Sequence, residues 1–176
     1  MSSLSPDFTI RPAIATDIPD LFRLITALAD YEKLRDQVTG TAETLQEDMF
    51  GQKPCIEAIV AEISPSDVSQ AQIVGFALFF NNYSTFLTRR GIYLEDLFVL
   101  PEYRSRGIGK ALISQLAQIA VERGYGRFEW SVLDWNAPAI AFYQKMGAEV
   151  LPDWRICRVT GNNLQNLAQM TTLISN

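Results

Sequence analysis

The sequence predicts an α/β protein in which helices cover both faces of a mixed β-sheet. Two observations predict this class: β-rich runs that can pair as a hairpin lie in the first half of the chain, and a strand, a loop and a helix follow one another in the second half. The chain has 176 residues, of which 48% are hydrophobic and 20% are charged, as is typical of one globular domain. We therefore expect a single domain over residues 1–176, with its core at about 8–160.

Six stretches have the composition and the alternation of β-strands. They are 8–11, 56–63, 72–80, 92–99, 127–133 and about 155–160. The run from Ile92 to Val99 is almost continuously apolar, as in a strand that is covered on both faces, and Pro101 ends it. We expect this run to be the central strand of the sheet.

Four segments have the apolar spacing of helices. They are about 16–34, 42–50, 108–124 and 136–147. Thr16 and Pro19 are typical of the cap and first turn of the first helix, and Gly124 and Gly147 stop the last two helices. After residue 160 the chain is expected to end in a polar tail.

Composition excludes several classes of function. The chain has no histidine, which removes the commonest general base and every catalytic triad that depends on it. Cys55 and Cys157 are far apart and isolated, so neither a disulfide framework nor a metal site is expected. The net charge of −5 argues against nucleic-acid binding and is compatible with a small cationic substrate. Without a bilayer-spanning run or a secretory signal at the N-terminus, the protein is expected to be cytoplasmic and to bind no membrane.

The segment Arg104-Ser105-Arg106-Gly107-Ile108-Gly109 lies between the central strand and a predicted helix. Unpaired N–H groups in the first turn of a helix bind anions, and glycine permits close approach of a phosphate. A Rossmann loop requires a third glycine at Leu112, and a P-loop requires Ser or Thr at Ala111, so both are excluded. The alternative to an anion site is a plain helix start with solvated arginines.

The RxxGxG spacing of this segment resembles the acyl-CoA diphosphate loop of the GNAT superfamily. Three further segments lie in the order and spacing of that superfamily: LEDLFV at 94–99, DWNAPA at 134–139 and AFYQKMGA at 141–148. The sequence is similar above all to the diamine (spermidine/spermine) acetyltransferase branch, from about Phe8 to Cys157. The marks of this branch are IRPA at 10–13, LADYE at 28–32, IVGFA at 73–77, YLED at 93–96 and WR at 154–155.

The resemblance implies the GNAT fold, with a mixed and mostly antiparallel sheet of six to seven strands and helices on both faces. It also implies acetyl-CoA as co-substrate, no metal, and a homodimer. The backbone of Leu97, Phe98 and Val99 is expected to pair with the pantetheine arm. The diphosphate is expected to bind at Arg104, Ser105, Arg106, Gly107, Ile108, Gly109 and Lys110. Asn136 and Ala139 are expected at the cofactor, although Asn136 as the cap of its own helix is an equally good account.

Two residues are candidates for catalysis. An alkylamine with a pKa of about 10.4 is almost wholly protonated at pH 7, so acetyl transfer needs a group that takes its proton. Glu95 lies in an otherwise apolar strand and is suited to that task, unless it and Asp96 face solvent or pair with arginines. Strand alternation also argues that both acids cannot serve one site. Tyr143 matches the general-acid tyrosine of the GNAT pattern, and its alternative is a core residue.

Tyr31, Glu32, Glu95, Asp96 and Trp154 correspond to the polyamine site of the branch, where carboxylates and aromatic faces bind a cationic chain. The alternative for the first two is a surface Glu and a Tyr at the core edge. The loop 81–86 lacks the aspartate that polyamine-specific members carry. A shorter, lysine-like amine such as thialysine is therefore a rival substrate.

The predicted function is transfer of an acetyl group from acetyl-CoA to a primary amine of a diamine, polyamine or lysine analogue, by direct attack. One alternative is a protein or peptide N-acetyltransferase. The other is a catalytically silent acyl-CoA-binding module, against which Glu95 and Tyr143 argue because binding alone needs neither.

Overall fold

The computed structural model describes residues 7–64 and 71–170. The elements in chain order are β1 (Thr9–Pro12), α1 (Ile18–Tyr31), α2 (Ala42–Phe50), β2 (Glu57–Ile63), β3 (Gln72–Ser84), β4 (Arg89–Val99), α3 (Ile108–Glu122), β5 (Phe128–Trp130), α4 (Ala137–Lys145) and α5 (Gly161–Gln169). The chain divides between Leu133 and Asp134 into two compact units. The first unit contains the whole sheet, and the second contains α4 and α5. The single-domain organisation stays a prediction.

Five strands form one sheet in the order β1-β2-β3-β4-β5. The first three pairings are antiparallel, and β4 pairs with β5 in parallel. The predicted α/β class with a mixed, mostly antiparallel sheet is therefore confirmed.

The strand predicted near the end of the chain is wrong. The stretch 155–160 is not a strand, so the described residues form five strands rather than six or seven. A strand needs a neighbour for its backbone hydrogen bonds, and every residue of this stretch is exposed instead of paired. The predicted polar tail contains a helix, α5.

Helices lie on both faces of the sheet, as predicted. On one face, α1 and α2 pack against alternate residues of the strands, among them Phe76 and Phe98. On the other face, α3 buries Ile108, Leu112 and Leu116. Gly75 lies under α3, where an added Cβ would be 3.0 Å from the Phe98 carbonyl oxygen and 3.5 Å from Ile108 Cγ2. The missing side chain therefore avoids crowding of β3 against the end of β4, where the added Cβ would also be 3.2 Å from Val99 Cγ2.

The start of α1 is held by charge rather than by the predicted Thr16 cap. Thr16 lies inside a 3-10 turn, Ala15–Asp17, and it is Asp17 that accepts a hydrogen bond from the Ile14 N–H at 2.8 Å. Arg11 contacts Asp17 and Glu62, each at 2.6 Å. Burial alone raises the pKa of Asp17, but the hydrogen bonds from Arg11 and Ile14 outweigh it and lower that pKa. The cap prediction is wrong because a buried ion pair positions this turn.

The end of α1 comes at Tyr31, three residues before the predicted end at Leu34. Lys33 has a φ of 61°, and the Leu34 N–H donates to the Ala29 carbonyl at 2.8 Å. This is the left-handed C-terminal arrangement that glycine usually supplies. Gly124 and Gly147 adopt it at the ends of α3 and α4, with φ of 66° and 89°, as predicted.

None of the helices among residues 7–64 and 71–170 combines the length and the apolar character needed to cross a bilayer.

Candidate functional site

The sheet opens along one side of β4. In the described part of the chain, β5 pairs with β4 only from Ile92 to Leu94, and beyond Leu94 only β3 pairs with it. The Leu100 N–H donates to the Val74 carbonyl at 2.9 Å. Since antiparallel bonding alternates, the main-chain groups of Phe98 also face β3, whereas those of Leu97 and Val99 face the open side.

The open edge has few groups to offer a ligand. One of them, the Val99 carbonyl, already accepts a hydrogen bond from Arg104 Nε at 2.9 Å. This leaves the N–H and carbonyl of Leu97 and the N–H of Val99 on the side that β5 does not reach. An extended ligand with amide groups can pair there as an additional strand does.

A β-bulge interrupts β4 at the two acids. Asp96 lies opposite Leu78 and Leu94 lies opposite Phe79, so Glu95 has no opposite residue in β3. A bulge breaks the alternation of side chains and re-aims them locally. The bulge therefore removes the simple alternation on which the expectation of opposite faces for Glu95 and Asp96 rests, and that expectation stays a prediction. Two neighbouring acids inside an apolar run were the only sign of this irregularity in the sequence.

Two carboxylates, Glu95 and Glu32, act on a third, Asp96, beside the bulge. Asp96 neighbours Leu78 on the face that α1 covers, and burial, then Glu95 and then Glu32 raise its pKa to about 6. Burial also raises the pKa of Glu32, which directly follows α1. Within the described ranges none of the three forms a salt bridge, and Glu95 is exposed. The cluster is therefore suited to bind a cation, and pairing of these acids with arginines is not observed.

Tyr31 and Arg104 meet next to this cluster. The guanidinium carbon of Arg104 lies 4.6 Å from the centroid of the Tyr31 ring and 5.5 Å from that of Phe98. Tyr31 is the last residue of α1 and is 42% exposed, so it is not a core residue. Arg104 thus connects the end of α1 to the end of β4.

The loop before α3 turns sharply through two left-handed residues. Ser105 has a φ of 64° and Gly107 a φ of 86°, and Gly107 caps α3. The Ala111 N–H makes the first intrahelical hydrogen bond, to the Gly107 carbonyl at 2.9 Å, so the N–H groups at 108–110 have no partner within the helix. No atom lies within 4 Å of a Cβ placed on Gly107. The loop therefore ends in N–H donors without a partner in the helix, to which an anion can bind.

The basic residues of the loop differ in their surroundings. Arg106 donates to the Glu102 carbonyl at 3.2 Å and lies over the Tyr103 ring at 5.1 Å. Lys110 is exposed in the first turn of α3. The Arg104 side chain already donates a hydrogen bond to the Val99 carbonyl and lies against two aromatic rings. Positive charge near the N–H groups thus comes chiefly from Arg106 and Lys110.

The remaining predicted site residues belong to the second unit. The Asn136 side chain accepts a hydrogen bond from the Ala139 N–H at 3.3 Å, so it caps α4. This is one of the two roles that the sequence offered for it. The rings of Phe142 and Tyr143 lie 5.3 Å apart, and Tyr143 is half-buried. Trp154 is 77% exposed.

Comparisons of the sequence and of the fold with known proteins give consistent results. A profile of the Acetyltransferase (GNAT) family matches residues 23–148. Thialysine N-epsilon-acetyltransferase of Sus scrofa is 41% identical over 164 residues, which cover 90% of this chain and 96% of that protein. L-ornithine N5-acetyltransferase NATA1 of Arabidopsis thaliana is 34% identical over 200 residues, covering 92% and 88%. The solved structure of an integron cassette protein from the mobile metagenome of V. cholerae has a TM-score of 0.74 at 24% identity, covering 93% of this chain and 98% of that one, and supports the fold.

Proposed function

This chain belongs to the GNAT acetyltransferase family, and we propose that it transfers an acetyl group from acetyl-CoA to the terminal primary amine of a small cationic molecule, foremost a lysine- or ornithine-like diamino acid. The observation that carries the proposal is the cluster of Glu32, Glu95 and Asp96 beside the open edge of β4. The names of relatives that acetylate thialysine and ornithine favour a diamino acid. Diamines and polyamines are the second candidates, because the same carboxylates suit any ammonium.

The residues of the first unit fit acetyl-CoA. The main-chain groups of Leu97 and Val99 can pair with the amides of its pantetheine arm. The N–H groups at 108–110, with Arg106 and Lys110, can bind its diphosphate. When bound, this co-substrate supplies an acetyl thioester whose sulfur is a good leaving group.

Side chains of this protein then bind the ammonium and transfer the protons. Asp96 and Glu32 hold the ammonium, and Glu95 accepts its proton directly or through a water. The nitrogen lone pair attacks the acetyl carbonyl carbon, so that a C–N bond forms as the C–S bond breaks. Tyr143, by its match to the family pattern, donates its hydroxyl proton to the departing sulfur. The nitrogen releases its second proton to solvent as the amide forms, and Tyr143 regains a proton from solvent.

A substrate panel tests the proposal. Purified protein is incubated with acetyl-CoA and, separately, with ornithine, thialysine, lysine, putrescine, spermidine and a lysine-containing peptide, and thiol release and product mass are measured. Fastest turnover of a diamino acid is the expected result. Turnover of the peptide alone would identify a protein acetyltransferase, and acetyl-CoA binding without thiol release from any amine would identify a silent module.

Gly107→Ala is expected to weaken acetyl-CoA binding about tenfold, because alanine strains the left-handed turn that directly precedes the N–H groups at 108–110. Gly124→Ala is a matched control at the other end of α3, where φ is also positive and the space is also open. Both variants should lose about 1 kcal/mol of stability from the left-handed strain. Calorimetric titration with CoA measures the difference, and equal affinities in the two variants would refute the diphosphate assignment.

We further propose a homodimer, on the resemblance and on the apolar surface of the second unit. Exposed apolar side chains recur along its C-terminal part: Val150, Leu151, Trp154, Ile156, Val159, Leu164 and Leu167. Apolar surface of this extent is typical of a contact with another chain. Light scattering should give twice the 19.8 kDa of one chain, and a particle of 19.8 kDa would contradict the proposal.

A further inference from the structure

We propose that Arg104 is a positioning residue for the amine, which it affects by holding the ring of Tyr31 against the end of β4. This inference rests on the proposed function, because Tyr31 is assigned to the amine site there. It gives Arg104 a different task from the other basic residues of the loop, which are available to the diphosphate of acetyl-CoA.

The contacts of Arg104 fix the position of its side chain. Its Nε donates to the Val99 carbonyl at 2.9 Å, which ties the side chain to the main chain of β4. The guanidinium carbon then lies 4.6 Å from the Tyr31 ring centroid and 5.5 Å from the Phe98 centroid. A cation at these distances from an aromatic ring is attracted to it. Arg104 is therefore anchored on β4 and holds a residue of α1.

Tyr31 is a residue that needs such support. It is the last residue of α1, it is 42% exposed, and Lys33 turns the chain away with a φ of 61°. An exposed side chain at a helix end has rotamer freedom that must be lost when a ligand packs on it. Glu32, one of the three clustered carboxylates, follows directly. Holding the Tyr31 ring thus prepares the aromatic side of the amine site before the amine arrives.

Arg104 is less suited than its neighbours to be a phosphate ligand. Its Nε donates a hydrogen bond to the Val99 carbonyl, and its guanidinium lies against the rings of Tyr31 and Phe98. Arg106 also donates to a main-chain carbonyl, at 3.2 Å, and lies over one ring, but both contacts stay within the loop. Both arginines are exposed, so what distinguishes Arg104 is its attachment to β4 and to α1.

A double-mutant cycle tests whether Arg104 acts through the ring of Tyr31. The measured quantity is the KM for the amine at saturating acetyl-CoA. Arg104→Gln should raise that KM about three- to tenfold in the wild-type background and in Tyr31→Phe, which keeps the ring, with little change in kcat. In Tyr31→Leu the ring is gone, so Arg104→Gln should raise the KM no further. Thermal melting of each variant verifies that it is folded.

Arg106→Gln is the control for the loop. It should weaken CoA binding in a calorimetric titration and leave the amine KM at saturating acetyl-CoA unchanged, the opposite of Arg104→Gln. The proposal is overturned if Arg104→Gln leaves the amine KM unchanged, or raises it equally with and without the Tyr31 ring. A wild-type protein that acetylates no amine would instead sink the proposed function itself.

Discussion

Tyr143→Phe will lower kcat for amine acetylation by about a hundredfold or more, while the affinity for acetyl-CoA stays within about twofold of the wild type. The leaving thiolate belongs to a thiol with a pKa near 8.5, so at neutral pH a proton delivered to the sulfur assists its departure. Phenylalanine keeps the ring that packs beside Phe142 and removes only the hydroxyl. Single-turnover measurements with pre-bound acetyl-CoA separate this effect from product release.

Tyr125→Phe is the matched control for this variant. Tyr125 follows α3, and its ring lies near Arg123 at a distance of 6.0 Å from the guanidinium carbon, outside the proposed site. Removal of the Tyr125 hydroxyl should leave kcat unchanged. If kcat of Tyr143→Phe falls by less than about threefold, another group or water protonates the sulfur.

Asp96→Asn is expected to make the protein more stable and less active. Burial and two neighbouring carboxylates raise the pKa of Asp96 from 3.8 to about 6, so at pH 7.5 the folded state holds an unfavourable charge. Removing it should stabilise the fold by up to about 3 kcal/mol, since one pKa unit corresponds to about 1.4 kcal/mol. The KM for the amine should rise about tenfold, because a charged partner of the ammonium is lost.

The pH dependence distinguishes this cause from improved packing. The carboxyl is protonated in both the folded and the unfolded protein only well below pH 3.8, so the stability gain of Asp96→Asn should be small at pH 4, grow as the pH rises towards 6 and reach its full size above pH 6. Denaturant unfolding at pH 4 and pH 7.5 measures it. Glu95→Gln, at an exposed position, should gain much less stability. An equal gain for Asp96→Asn at both pH values would exclude the electrostatic explanation.

Local signals in the sequence predicted much of the fold. The bounds of α2 agree at both ends, and Gly124 and Gly147 end their helices as predicted. The early end of α1 had no such signal, because Lys33 adopts a conformation that its residue type does not announce. The sequence pattern was insufficient here because the turn is held by main-chain hydrogen bonds, such as that from the Leu34 N–H to the Ala29 carbonyl, which any residue type can make.

The strands show the same limit at the far end of the β3 and β4 hairpin. β3 was predicted to end at Phe80 but continues to Ser84, through polar residues that a strand pattern does not contain. Asn82 lies opposite Gly91 and donates to Glu129 at 2.6 Å, so the missing side chain of Gly91 makes room for a polar contact with β5. Such a contact depends on three strands together and cannot be read from any one of them.

The candidate site divides in the same way. The loop at 104–110 was predicted from its glycines, whose dihedral angles are a local property. The bulge at Glu95 and the contact between Arg104 and Tyr31 join elements far apart in the chain. Residue types alone therefore indicated a cofactor loop and an acidic pair, but not that α1 supplies the partner of a loop arginine.

The incomplete pairing of β4 also bears on how the protein behaves during expression and storage. A strand edge with unsatisfied main-chain groups is a template on which another chain can add, and the apolar stretch that ends at Val99 has such an edge on the side that β5 leaves open. Arg104 hydrogen-bonds to the last carbonyl of that edge, and the exposed charge of Glu95 at its beginning disfavours pairing with another strand. A ligand that pairs with Leu97 would therefore protect the protein from aggregation as well as serve its chemistry.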